Sequence, residues 1–187
     1  MLRLGQPYRE EDLIHDCLKG KRSGQEALYK KYSAKMLGIC LRYLPDRTEA
    51  EDAMVSAMVR IFAQLPTFRQ EGSFEGWIRR ITVNEALGVL RRKKKIYFEE
   101  MEVADRQTSE RNAETNLEAD ELLKMVQFLP TGYRTVFNLY AIEGYSHKEI
   151  AEMLGVTEST SKSQLNRARN LLKEMIAKYQ GVSLPAL

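Results

Sequence analysis

The side chains best suited to chemistry in this chain are hydrogen-bond donors gathered toward its C-terminal end. Ser159, Thr160, Lys162, Ser163, Asn166, Arg167 and Arg169 follow one another over about three helical turns. Hydroxyl, amide and guanidinium groups of this kind meet base edges, and the cations among them hold phosphates. To act together they need a helix that presents them on one side. The surrounding LPTGYRTVFNLYAIEGYSHKEIAEMLGVTESTSKSQLNRARNLLKEMIAKY supplies one. Ser146 with Glu149 three residues later is a capping box, which satisfies orphan N–H groups at a helix start. Ile150, Ala151 and Leu154 then share an apolar face. Gly155 can take the left-handed conformation that ends a helix, Val156 packs inward, and Thr157 is placed to cap the next helix. This is a helix-turn-helix pattern. Its last helix, Thr157–Tyr179, buries Leu165, Ala168, Leu172 and Met175 at helical spacing. Ser161 stands where such turns usually carry an aliphatic residue, which predicts a looser contact between the two helices.

A second group of donors lies upstream. The loop FRQEGSFEGW leads into IRRITVNEALGVLRRKKK. There Trp77, Ile78, Ile81, Ala86, Leu87 and Leu90 fit a buried face, and Arg79, Arg80, Asn84, Arg91, Arg92, Lys93, Lys94 and Lys95 an exposed one. Aromatic rings beside cations suit unstacked bases and a phosphate backbone. Metal or nucleophilic chemistry has no comparable cluster. The acid pair Glu51–Asp52 points to different faces of a helix, and no histidine supports it.

The 187-residue chain is 43% hydrophobic and 29% charged, the balance of a globular protein of one or two small domains. Cys17 and Cys40 form no C-x-x-C, and with two histidines in all neither a disulfide framework nor a zinc site is indicated; a reducing cytosolic compartment is favoured. The opening MLRLGQPYREEDL lacks the apolar core of a signal peptide. No apolar run reaches the roughly 18 residues of a membrane span.

The elements read as helices throughout. Glu11–Lys19 is amphipathic through Leu13, Ile14, Cys17 and Leu18, and Gly20 breaks it. Ser23 with Glu26, and Thr48 with Glu51, read as capping boxes opening two long helices. The first carries Ala27, Leu28, Tyr32, Met36, Leu37, Ile39 and Cys40. The second carries Ala53, Met54, Ala57, Met58, Ile61, Phe62 and Leu65, a stripe wide enough to leave room for a partner. Between Ile96 and Glu121 nine acidic residues oppose two basic ones, which reads as a flexible acidic linker. A helix near Leu117–Leu129, with Leu122, Leu123, Val126 and Phe128, then opens the C-terminal bundle. The expected fold is all-α, two small helical bundles joined by that linker.

Together, ALYKKYSAKML, EAEDAMVSAMVRIFAQLPTFRQEGSFEGWIRRITVNEALGVLRRKKK and LPTGYRTVFNLYAIEGYSHKEIAEMLGVTESTSKSQLNRAR resemble a bacterial RNA polymerase sigma factor of the extracytoplasmic-function type. The resemblance implies region 2 over 1–95, a linker over 96–117 and region 4 over 118–187. It implies a cytoplasmic, non-catalytic protein without metal or cofactor, monomeric or 1:1 with a partner. That protein binds core RNA polymerase and promoter DNA under control of an anti-sigma factor. Polymerase contact falls on Glu51, Asp52, Val55, Met58 and Phe62. Recognition of the −10 element falls on Ser73, Phe74, Arg79, Arg80, Asn84, Arg91 and Arg92. Of these, Ser73, Phe74 and Asn84 lie where the family captures a flipped-out base. Recognition of the −35 element falls on Ser159, Thr160, Lys162, Ser163, Asn166 and Arg167. Gln164 replaces a residue that is commonly basic. Two rival readings stay in view. A conventional helix-turn-helix regulator would need a sensory domain, of which the N-terminal half shows no strand–helix alternation; a metal-dependent enzyme would need ligands.

Overall fold

The computed structural model describes residues 9–69, 71–93 and 119–180, and those residues form helices joined by short turns, without a strand. The acidic run 96–117 and the cations Lys94 and Lys95 lie outside the described residues. The chain divides into two compact units, Met1–Arg92 and Lys93–Leu187.

The first unit contains α1 (Glu10–Leu18), α2 (Arg22–Tyr43), α3 (Arg47–Gln64), a 3₁₀ turn (Leu65–Thr67) and α4 (Phe74–Arg92). Gly20, at φ +66°, turns the chain from α1 into α2, and α2 then passes very close to α1. A Cβ added at Gly24 would lie 2.8 Å from Cβ of Asp16 and 2.9 Å from the backbone of Asp16 and Cys17. That turn starts α2 at Arg22, so the Ser23–Glu26 box does not form; Lys21 stands at the cap without a side-chain bond, and Glu26 pairs with Arg22 at 2.8 Å. The Thr48–Glu51 box does not form either. Asp46, directly after Pro45, accepts the N–H of Glu49 at 2.9 Å and opens α3 first. Glu51 is drawn to Arg47 instead, at 2.8 Å.

Small Ala50, Ala53 and Ala57 are buried on α3, and Leu28, Tyr32, Met36 and Cys40 of α2 and Ile78, Val83 and Leu87 of α4 are buried in the bundle where α2, α3 and α4 pack together. Leu18 is exposed, so α1 seals the bundle through Leu13, Ile14 and Cys17 alone. Arg60 of α3 holds the buried carboxylate of Glu85 on α4 at 2.8 Å. A charge removed from water needs a partner of this kind.

The second unit contains α5 (Ala119–Phe128), α6 (Thr131–Phe137) continued by a π-helical turn (Asn138–Ile142), α7 (His147–Leu154) and α8 (Glu158–Tyr179). Met125, Val126 and Leu129 pack on Ala168 and Leu172, joined by Phe137, Met175 and Ile176. Leu122, Leu123 and Phe128 were expected in this interface but are exposed. Buried Arg134 closes the α5–α6 turn by donating to the carbonyls of Gln127 and Leu129 at 2.9 and 3.0 Å. It thereby satisfies carbonyls that a helix end leaves without partners.

Candidate nucleic-acid interface

The α7–α8 turn follows local chemistry step by step. Ser146 and Glu149 form the reciprocal capping box, Gly155 is left-handed at φ 69°, and Thr157 accepts the N–H of Thr160. α8 thus leaves the turn with its axis fixed at both sides of Gly155. Along it Ser161, Gln164, Leu165, Ala168 and Leu172 are buried. At about 100° per residue, Ser159, Ser163, Asn166, Asn170 and Lys173 then project from the opposite side. All five are exposed. Lys162 borders this face, 3.8 Å from Glu158. Thr160 is half-buried and its hydroxyl meets that of Thr157 at 2.8 Å, so it serves the cap more than the face.

The remaining two arginines leave on opposite flanks, about 200° apart. Arg167 donates to the hydroxyl of Tyr133 at 3.1 Å, and the guanidinium of Arg169 lies 5.6 Å from the ring centre of Tyr140. Gln164 packs beside Gly132 instead of facing outward. Asn170 escaped the sequence reading, although it follows Asn166 by four residues and Ser163 by seven.

In the first unit, α4 is covered on most of its circumference. One open stripe remains, running through Trp77, Arg80, Asn84, Gly88 and Arg91, with Arg92 and Lys93 exposed at its end. The stripe joins Arg80, Asn84 and Arg91 but leaves out Arg79. That residue is half-buried and lines an open cleft of about 330 Å³ with Tyr32, Lys35, Arg42 and Glu75. Phe74 is 1% exposed, with ring centres of Tyr32, Phe68 and Trp77 at 5.8, 5.1 and 5.7 Å. Its buried ring has no face for a base. The half-buried rings of Phe68 and Trp77, 5.3 Å apart, are the ones that a stacked base could reach. Ser73 accepts the N–H of Gly76 at 3.1 Å and so caps the start of α4.

A third surface lies on α3. Asp52, Val55 and Val59 are exposed along one line, with half-buried Phe62 and Glu51 at its edge. Val55 and Val59 are 52% and 64% exposed, whereas Met58 is 5% exposed and faces the interior. Val59 was missed because the sequence reading followed the methionines. Among the described residues no group of three or more His, Cys, Asp and Glu could hold a metal ion, and no helix is long and apolar enough to cross a membrane.

Comparison with known proteins places two family patterns on these units. Sigma-70 region 2 matches residues 28–96, and Sigma-70, region 4 matches residues 119–172. The chain is 30% identical over 160 residues to the ECF RNA polymerase sigma factor SigE of Mycolicibacterium smegmatis; the match takes in 82% of this chain and 62% of that one. It is 28% identical over 176 residues to SigW of Bacillus subtilis, taking in 87% of this chain and 94% of that relative. Its fold is similar to that of the sigma factor RpoE of Bartonella quintana, solved in complex with the anti-sigma factor NepR. The TM-score is 0.51 at 20% identity, covering 81% of this chain and 95% of that one.

Proposed function

This chain belongs to the sigma-70 family as a factor of the extracytoplasmic-function type, and from that premise we propose that it binds core RNA polymerase and starts transcription at promoters carrying −10 and −35 elements. One observation carries the reading. A single chain bears two donor-rich surfaces on separate compact units, which suits two DNA elements read at a distance. In this proposal residues 1–95 act as region 2, 96–117 as the connection and 118–187 as region 4.

The exposed face of α8 enters the major groove of the −35 element. Ser159, Ser163, Asn166 and Asn170 meet bases, while Lys162, Lys173 and Arg167 hold the strand. The α4 stripe takes the melted −10 strand, with Arg80 and Arg91 on phosphates, Asn84 on a base edge, and Phe68 and Trp77 as stacking faces. The α3 line of Asp52, Val55 and Val59 docks on polymerase. The exposed valines side by side on one line suit burial against a partner. The chain supplies recognition and the polymerase supplies the reaction, in the cytoplasm. Control by an anti-sigma factor, the kind of partner named for the Bartonella protein, is part of the proposal.

The test is transcription in vitro from a fragmented genomic library with core polymerase, followed by sequencing of the start sites. Adding the chain is expected to create starts that share two upstream sequence elements. Start sites identical to those of core polymerase alone would refute the reading.

A further inference from the structure

Tyr140 stands in the middle of the π-helical turn and touches two groups from other helices. Its ring stacks on the imidazole of His147, with centres 4.6 Å apart and planes at 22°. The guanidinium of Arg169 lies 5.6 Å from the same ring centre. His147 is tied from a second side, its Nδ1 lying 2.9 Å from the buried hydroxyl of Ser161. Three helical segments therefore converge on one small cluster, and none of its members belongs to the outward face of α8.

The position of this cluster narrows what it can meet. Arg169 leaves α8 on a flank, about 100° from the line of Ser163 and Asn170. When an outward helix face enters a groove, its flanks meet the strand walls, where phosphates lie. A guanidinium resting on an aromatic ring keeps its in-plane N–H groups for another acceptor. When the Ser161 hydroxyl donates to Nδ1, the proton of neutral His147 sits on Nε2, which can then donate outward. In that tautomer the outer nitrogen offers a donor, and once the ring is protonated it offers one whichever way the Ser161 bond runs.

We propose that His147 and Arg169 jointly hold one phosphodiester of the DNA backbone beside the −35 element, and that Tyr140 is the positioning residue that keeps both donors aimed at it. The assignment rests on the reading of this chain as a sigma factor. It has a pH signature that a merely structural role lacks. The groups around His147 are Tyr140, Ser161, Lys162, Glu158 and Arg169, with Lys148 and Glu149 beside it on α7. A phosphate placed against the ring raises its pKa, so binding takes up a proton. Affinity is then greatest below the pKa of the free ring and falls as pH rises through that of the bound one.

The experiment uses the full chain assembled with core polymerase, on a promoter duplex taken from the start-site sequencing. Tyr140→Ala and Arg169→Gln are each expected to weaken binding about tenfold and to lower the salt slope by about one unit. Tyr140→Phe, which keeps the ring, is expected to bind as the unaltered chain does. Affinity of the unaltered chain should fall between pH 5.5 and 8, and His147→Gln should flatten that profile. Unchanged affinity and slope in both Tyr140→Ala and Arg169→Gln would overturn the proposal. So would a Tyr140→Phe as weak as Tyr140→Ala, or a pH profile that survives His147→Gln. If the unaltered chain confers no promoter binding at all, the sigma-factor reading itself fails, which is a different outcome.

Discussion

Ser161 is fully buried between α7 and α8, and its hydroxyl is 2.9 Å from Nδ1 of His147. The sequence suggested a loose contact here because the usual aliphatic group is missing. The structure corrects this, since a directed bond takes the place of apolar packing. Removing it strands a ring nitrogen, at a cost of about 1 kcal/mol for an ordinary hydrogen bond. Ser161→Ala should therefore lower the melting temperature of the C-terminal unit, read by circular dichroism, and an unchanged melt would show that the bond contributes nothing. The same histidine links this unit to pH. Burial lowers its pKa in the folded chain; Lys162 lowers it further, Glu158 opposes, and Arg169 adds a smaller push downward. The unfolded chain takes up the proton first, so this contribution to stability is present above the ordinary histidine range and is lost as pH falls. Acid thus weakens the fold at His147 while, in the proposed phosphate site, it favours DNA.

α3 shows how far a helical stripe can be read from residue types. Its period was plain, and Ala53, Met54, Ala57 and Ile61 are buried as that period requires. Which edge of the stripe stays open depends on where α2 and α4 lie across it, and periodicity carries no such information. Met58 consequently looked like a partner contact, yet it is interior, and Val59 is the open residue. Two substitutions separate these roles. Val59→Glu should weaken binding to core polymerase about tenfold with the helical spectrum and melt unchanged, as expected of an interface side chain near the centre of its patch. Met58→Lys should destabilise the first unit by several kcal/mol, since it buries a charge without a partner. Native affinity in Val59→Glu would remove α3 from the polymerase interface. The α7–α8 turn was legible almost completely, because Ser146, Glu149, Gly155 and Thr157 act over three or four residues. Phe74 was not. Its inward direction depends on Tyr32, which comes from a distant part of the chain.

At the scale of the whole molecule, the two units carry different side chains as well as different surfaces. Trp77 is the chain's single tryptophan, and both its cysteines, Cys17 and Cys40, fall with it in Met1–Arg92. The two thiols are buried and unpaired. Burial, with Glu85 adding and Arg42 opposing, pushes the Cys40 thiol up to about 12, and burial and Asp16 push Cys17 up as well. Neither is a ready nucleophile while the bundle is closed. Indole fluorescence and thiol alkylation therefore observe the first unit alone, whereas helical ellipticity observes both. In a urea titration of the unlabelled chain, emission and alkylation should share one midpoint, and ellipticity should show a second transition that neither of them sees. Coincidence of all three traces would mean that the units unfold as one cooperative body. The placement of one indole and two thiols thus makes the chain its own optical and chemical gauge of whether its halves are thermodynamically independent.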